Sequence, residues 1–359
     1  MRKFFFQLHL YTSLITFPLV IIFGVTGSIM AFEPEINHLA HAKLSYVKPE
    51  PKAQTLAGLS ALVKKAFPKD TIGGYNISTS PDISYQIYLQ DKTVFIDQYS
   101  GEILGTTIGA DGWDNFQNFI HQLHLRLAFR NQGDTGKTIM SWAGVGLFII
   151  LPSGLILWWR QKRIAVRWKA KSRLVWFDIH SLVGVTVFII LLILSFTGIM
   201  IGFEQKTTPL FYQITGSKPN QWPDFNIKAQ ANASMISPDS ALTLVRQTLP
   251  GVEPFNINVP GPTDAYQVRA RYPEDRTPGG RSMVFLDPYN GKVLFAEGSR
   301  TAPGGKRLVN INRAIHTGDI YGLPTKIIMS LASLLMVVQV VSGLTMWWKR
   351  RKKKGIVSE

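Results

Sequence analysis

The chain has 359 residues, a net charge of +16 and a mean hydropathy of only +0.08, too polar for a bundle lying wholly within a membrane. It contains no cysteine, which excludes disulfides, cysteine-ligated iron–sulfur clusters, thiolate nucleophiles and covalent c-type haem attachment. Arg2 and Lys3, the stretch RQKRIAVRWKAKSR and the run KRRKKK hold 15 basic residues, with the two acidic residues Asp178 and Glu359 just beyond the latter two, so 13 of the 16 net charges sit at these ends of the apolar runs. This placement reports membrane topology and contact with anionic lipid of a phospholipid bilayer, and gives no support to nucleic-acid binding.

In chain order, the apolar run near residues 8–32 predicts a membrane helix within 1–33 that opens at His9. MRK ahead of it and Ala40-His41-Ala42 after it imitate a secretory signal, but the run exceeds the usual apolar core of about 7–15 residues. The polar stretch 34–136 predicts a small domain: TLAGLSALVKKAFP suits a helix, alternating YQIYL a half-buried strand, and Ser100-Gly101 a tight hairpin turn. It carries LHLRLAF, with His121 and His124, ahead of a second helix over 137–160 that ends on Trp158-Trp159. A basic loop over 161–176 leads to a third helix over 177–204, opening at His180. The stretch 205–325 repeats the first domain with DSALTLVRQTLPG, YQVRARY and a turn at Asn290-Gly291, and reaches His316. A fourth helix over 326–348 and a basic tail over 349–359 follow. By the positive-inside rule the basic segments are cytoplasmic and both polar domains lie outside. Asp97 and Asp287 stand so close to the glycine turns that they are expected to cap them rather than perform acid–base chemistry.

The halves match. HLYTSLITFPLVIIFGVTGSIMAFE, from His9 to Glu33, and HSLVGVTVFIILLILSFTGIMIGFE, from His180 to Glu204, share one register, with 18 residues from each histidine to the glycine of a Thr-Gly pair. Eighteen residues make five turns, so histidine and glycine share a helix face. Small residues one turn on, Ser13 and Gly184, offer a gap for a flat macrocycle or for plain helix packing. The second and fourth helices pair Ser153-Gly154 with Ser342-Gly343 and Trp158-Trp159 with Trp347-Trp348. The expected fold is a membrane α-helical bundle of four transmembrane helices, a duplicated helix–domain–helix unit, carrying two small α+β domains.

His9, His124, His180 and His316 each stand at the mouth of one apolar segment. A single interfacial histidine is commonly just a polar residue near headgroups, but four in matched positions point to axial ligation of two non-covalent b haems. With alternating helices, His9 and His180 meet one membrane face and His124 and His316 the other. His38 and His41 have no counterpart in the second half and are expected at the surface.

The LHLYTSL opening, WFDIHSLVG, the hairpins FIDQYSGEILG and FLDPYNGKVLF, LHLRLAF, AIHTGDIYGLP and the WWRQKR and WWKRRKKK exits resemble, in this order, the PepSY-associated transmembrane family. That family includes iron-regulated bacterial inner-membrane proteins of the FoxB and PiuB type, and the resemblance covers nearly the whole chain. It implies PepSY-like periplasmic domains and a haem-containing reductase of ferric siderophores, with His9 and His180 at the cytoplasmic haem and His124 and His316 at the outer one. His121 is the alternative to His124; the family pattern in LHLRL favours His124, and the insertion this choice needs falls in RNQGDTG. The electron donor is expected to be membrane quinol or a separate reductase, since the cytoplasmic segments are too short for a flavin or nicotinamide domain. Arg269, Arg271, Arg276 and Arg281 offer a site for an anionic chelate, against the plainer reading of a solvated hairpin face. Two rival functions remain: a non-enzymatic membrane protein whose PepSY modules bind a peptide, protease or uptake partner, and direct binding of copper or zinc by the histidines.

Overall fold

The computed structural model describes residues 1–109, 112–129, 133–223, 225, 227–230 and 233–355, with 352–355 described by backbone alone. Residues 130–132 of the expected insertion and 356–359 of the tail lie outside the described residues. The helices in chain order are α1 (Arg2–Met30), α2 (Glu33–Ala40), α3 (Ala42–Ser45), α4 (Leu56–Ala66), α5 (Gly112–Arg126), α6 (Thr135–Trp159), α7 (Ser172–Gly202), α8 (Glu204–Ile214), α9 (Pro238–Thr248), α10 (Gly304–Thr317) and α11 (Leu323–Gly355). Contacts divide the chain into two compact units, one of residues 1–33, 116–210 and 311–359, the other of 34–115 and 211–310.

In the first unit α1, α6, α7 and α11 are long and apolar enough to span a membrane. Each packs on two others: α1 on α6 and α11, and α7 on α6 and α11, which leaves α1 and α7 diagonal. Val20, Leu147, Val187, Leu191, Ala332 and Met336 form the bundle core. Small and hydroxylated residues bring the backbones close, as expected where lipid removes the hydrophobic drive for helix association. The Ser28 hydroxyl donates to the Ser330 carbonyl at 2.9 Å, Ser330 returns the bond at 3.1 Å, and a Cβ on Gly24 would stand 2.7 Å from the Ser333 carbonyl oxygen.

Two spanning helices run well past their apolar windows. α7 begins at Ser172 rather than at 177, and α11 continues to Gly355 through the basic run expected to be a tail from 349. Lysine and arginine are good helix formers and are favoured by the dipole at a C-terminal end, so loss of hydropathy does not end a helix. The basic loop is fastened to α7 by Asp178, 1% exposed, whose carboxylate accepts Arg167 Nε at 2.7 Å, Nη2 at 2.8 Å and the backbone N–H at 3.0 Å.

The second unit departs from the two separate α+β domains expected over 34–136 and 205–325. Strands β1 (Gly74–Asn76), β2 (Tyr85–Tyr88), β3 (Lys92–Ile96), β4 (Ile103–Ile108), β5 (Glu253–Asn258), β6 (Tyr266–Arg271), β7 (Ser282–Leu286) and β8 (Val293–Glu297) form one antiparallel sheet in the order β4-β3-β2-β1-β5-β6-β7-β8. The joint pairs Gly74 with Asn258, Tyr75 with Ile257 and Asn76 with Asn256. Kept apart, β1 and β5 would each present an open edge; pairing removes both. One apolar core results, in which Tyr75, Ile87, Val94, Ile257, Val268 and Val284 cluster with Leu59 and Val63 of α4 and Leu242 and Val245 of α9. Asp239, at the start of α9, accepts the backbone N–H groups of Leu56 at 2.9 Å and Ala57 at 2.8 Å, so one helix caps the next. The hairpin carboxylates are turn caps: Asp97 accepts Tyr99 N–H and Asp287 accepts Tyr289 N–H, each at 2.8 Å, beside Gly101 at φ +79° and Gly291 at φ +72°.

Candidate cofactor site

His9 on α1 and His180 on α7 face one another across the bundle, with ring centroids 6.2 Å apart and planes at 87°. Each ring is held by a spanning helix beside it. His9 Nδ1 lies 3.1 Å from the Ile150 carbonyl oxygen and 3.2 Å from Ser153 Oγ of α6; His180 Nδ1 lies 3.1 Å from the Gln339 carbonyl oxygen and 3.0 Å from Ser342 Oγ of α11. Each serine donates its own proton to its helix, Ser153 to Ile150 and Ser342 to Val338. Carbonyl and spent hydroxyl can only accept, so Nδ1 is the protonated nitrogen and Nε2 keeps the lone pair. That tautomer, fixed by a second partner, is the one a metal-ligating imidazole adopts.

The other two histidines form a second pair, with ring centroids 6.4 Å apart. His124 comes from α5 and His316 from α10, and their Nδ1 atoms meet Thr26 Oγ1 of α1 at 2.8 Å and Thr197 Oγ1 of α7 at 3.0 Å. Both threonines donate to their own helices, Thr26 to Ile22 and Thr197 to Ile193, so the tautomer argument is the same. Burial, with His316 and His121 nearby, pushes the His124 imidazole down to about 3, and burial pushes His316 down to about 4. Both are therefore neutral at physiological pH, the form a metal can take. Thr26 lies 17 residues beyond His9 on α1, so the two pairs sit roughly 25 Å apart along the bundle axis.

Every ring lies against a glycine. A Cβ would stand 3.0 Å from His9 Cε1 at Gly154, 3.5 Å from His180 Cε1 at Gly343, 3.5 Å from His124 Cε1 at Gly27 and 3.0 Å from His316 Cε1 at Gly198. The Thr-Gly pairs that repeat with His9 and His180 in sequence thus serve the other pair of histidines, while the Ser-Gly pairs of α6 and α11 serve His9 and His180. The spacing can be compared with what two imidazoles on one iron would need. Two metal–nitrogen bonds of about 2.0–2.1 Å, plus about 1.1 Å from each nitrogen to its ring centre, set coaxial imidazoles about 6.3 Å apart. Both observed separations, 6.2 and 6.4 Å, fit two imidazoles sharing one iron. A cavity of about 1780 Å³, lined by His9, His180, Val20, Leu147, Leu191 and Met336, exceeds the roughly 300–1,000 Å³ of ordinary small-molecule pockets and has room for a tetrapyrrole.

It is His124 whose ring stands opposite His316; His121 lies one turn earlier on α5. The gap expected at Gly184 is filled by Gln339, whose Oε1 would meet a Cβ there at 3.3 Å and whose Nε2 donates to the His180 carbonyl at 3.0 Å. His41, expected at the surface, stacks on Phe95 at 6.5 Å. Arg269 donates to the Gly279 carbonyl at 3.2 Å and lies over the Phe255 ring. Arg271 continues the same strand, Arg276 is exposed, and Arg281 borders β7, so the four arginines belong to one hairpin region of the second unit. The Nδ1 acceptors Ser153, Ser342, Thr26 and Thr197 were visible only as members of repeated small-residue pairs.

The fold and the site define a membrane protein of four spanning helices with paired, tautomer-fixed histidines in its bundle. The chain belongs to the PepSY-associated TM region family, whose model matches residues 6–350. No curated protein matches it.

Proposed function

We propose that the chain is a haem b-containing bacterial inner-membrane oxidoreductase of the FoxB/PiuB type, passing electrons across the membrane to ferric siderophores or similar Fe(III) chelates in the periplasm. The observation that carries this reading is the spacing of the two imidazole pairs, 6.2 and 6.4 Å, each ring with its Nδ1 engaged. His9 with His180, and His124 with His316, would hold two non-covalent haems, which supply one-electron Fe(III)/Fe(II) couples when bound. The chain's own part is to fix the tautomer of each ring, exclude water and keep ions from crossing. Among the described residues, apart from the histidines, the ionisable side chains buried in the bundle are Asp178 and Lys326, both near helix starts and both paired, with Arg167 and Asp319. This favours an electron route over an ion path.

The three basic segments favour cytoplasmic termini and periplasmic polar domains. The donor is membrane quinol or a separate reductase. Reduction lowers the match between a hard Fe(III) ion and its oxygen ligands, which loosens the chelate. The matched contacts of His9 with His180 and of His124 with His316 support descent from a duplicated helix–domain–helix unit.

The test is a dithionite-reduced minus oxidised spectrum of the purified protein, followed by reduction of an external ferric chelate by proteoliposomes holding an internal reductant. Soret and α bands with chelate reduction are expected; a colourless protein overturns the reading. A reporter after Glu359 should be active in the cytoplasm and one near Gly216 outside, and the reverse pattern would invert the direction of transfer.

A further inference from the structure

We infer that Arg2 and Arg173 form an anion subsite for the two carboxylates of the tetrapyrrole at the His9–His180 pair. The inference rests on the haem reading above. Arg2 precedes His9 by seven residues and Arg173 precedes His180 by seven. Both arginines lie in the same helices as their histidines, α1 and α7. Seven residues fall 20° short of two full turns, so each arginine shares a face with its histidine, about 10.5 Å away along the axis, close to the span from a porphyrin centre to its carboxylates. Both line the same cavity as His9 and His180, and both are exposed, at the end of the cavity nearest solvent.

Charge points the same way. Among the described residues, the cavity lining contains no aspartate or glutamate. Of the other cations there, Lys349 bonds Ser172 Oγ, Arg350 lies over Phe6 and Arg351 over Trp347, while Lys3 and Lys171 precede their histidines by six and nine residues and so leave the face that the histidine shares with its arginine. Among the described residues, neither Arg2 nor Arg173 has an ion-pair partner. A planar dianion seated between the imidazoles, with its carboxylates toward solvent, meets one guanidinium from each diagonal helix. Guanidinium also suits carboxylate geometrically, through paired N–H donors. Topology alone needs only positive charge at these positions and makes no demand on their register with the histidines.

The experiment titrates haem-free full-length protein in detergent with iron protoporphyrin IX and with its dimethyl ester, following the Soret band. The relevant uptake is the part lost in His9→Ala. The unaltered chain should bind the free acid about tenfold more tightly than the ester. The double variant Arg2→Gln, Arg173→Gln should bind both within about twofold, at the ester affinity of the unaltered chain, while Arg2→Lys with Arg173→Lys keeps part of the preference. Equal binding of acid and ester by the unaltered chain overturns this inference alone, as does a full preference in the double glutamine variant. No uptake of either compound overturns the haem reading and this inference together. Uptake of the ester by the glutamine variant serves as its folding control, and loss of that uptake counts against a role confined to the carboxylates.

Discussion

The two histidine pairs reach similar ring separations by different means. His9 and His180 belong to spanning helices, and each has both a backbone carbonyl and a serine hydroxyl as Nδ1 partner. His124 and His316 are delivered by α5 and α10, shorter helices outside the spans, and lean on threonines of α1 and α7. The first pair is thus set by helix register and the second by where two flanking helices come to rest. The first should therefore tolerate loss of one hydrogen bond, as should His316, which also has the Leu194 backbone as a partner, whereas His124 should not.

The largest effect expected is on ligation itself. His9→Ala or His180→Ala should remove one haem of two and abolish chelate reduction in proteoliposomes. Full haem content in both variants would show that register alone does not make a ligand pair. At the second pair, His124→Ala should remove the other haem while His121→Ala retains it, measured as haem-to-protein ratio. If the loss follows His121 instead, the placement of α5 is wrong by one turn.

Removing a hydroxyl separates the pairs more finely. Thr26→Val leaves His124 without its Thr26 hydroxyl partner and should weaken haem retention by about 10-fold or more, the usual cost of losing such an orienting group. Ser153→Ala leaves the Ile150 carbonyl at 3.1 Å from His9 Nδ1, so a change of only a few-fold is expected in the same assay. Equal losses would erase the distinction between the pairs. The smallest effect concerns the glycines. An alanine methyl at Gly154 or Gly198 meets an imidazole at 3.0 Å and must turn the ring, whereas at Gly343 or Gly27 it meets one at an ordinary 3.5 Å. Gly154→Ala and Gly198→Ala should shift the haem midpoint potential or electron-spin-resonance signal, with Gly343→Ala and Gly27→Ala near the unaltered values.

Much of this was legible in order along the chain. The four spans follow from apolar runs of sufficient length, and the hairpin turns follow from Asp97 and Asp287 set before Gly101 and Gly291, because these are local properties of a few residues. The equal spacing of His9 and His180 from Gly27 and Gly198 marked the faces on which the rings lie, because helical periodicity is read directly from residue number.

Pairing was decided elsewhere. That β1 joins β5, turning two expected domains into one sheet with one core, depends on which edges meet, and strand patterning says which residues face a core without saying whose core it is. The helix ends past Ser172 and toward Gly355 escaped a reading based on hydropathy because backbone hydrogen bonding continues where apolar surface stops. Gln339 against Gly184, and Thr26 serving His124 rather than the histidine of its own helix, join residues far apart in the chain. The spans, the turns and the register of the four histidines along or beside the spans were already written in the order of the residues. Which imidazole faces which, and which nitrogen carries the proton, came from packing between helices, because a tautomer is set by an acceptor on a neighbouring helix that no local pattern identifies.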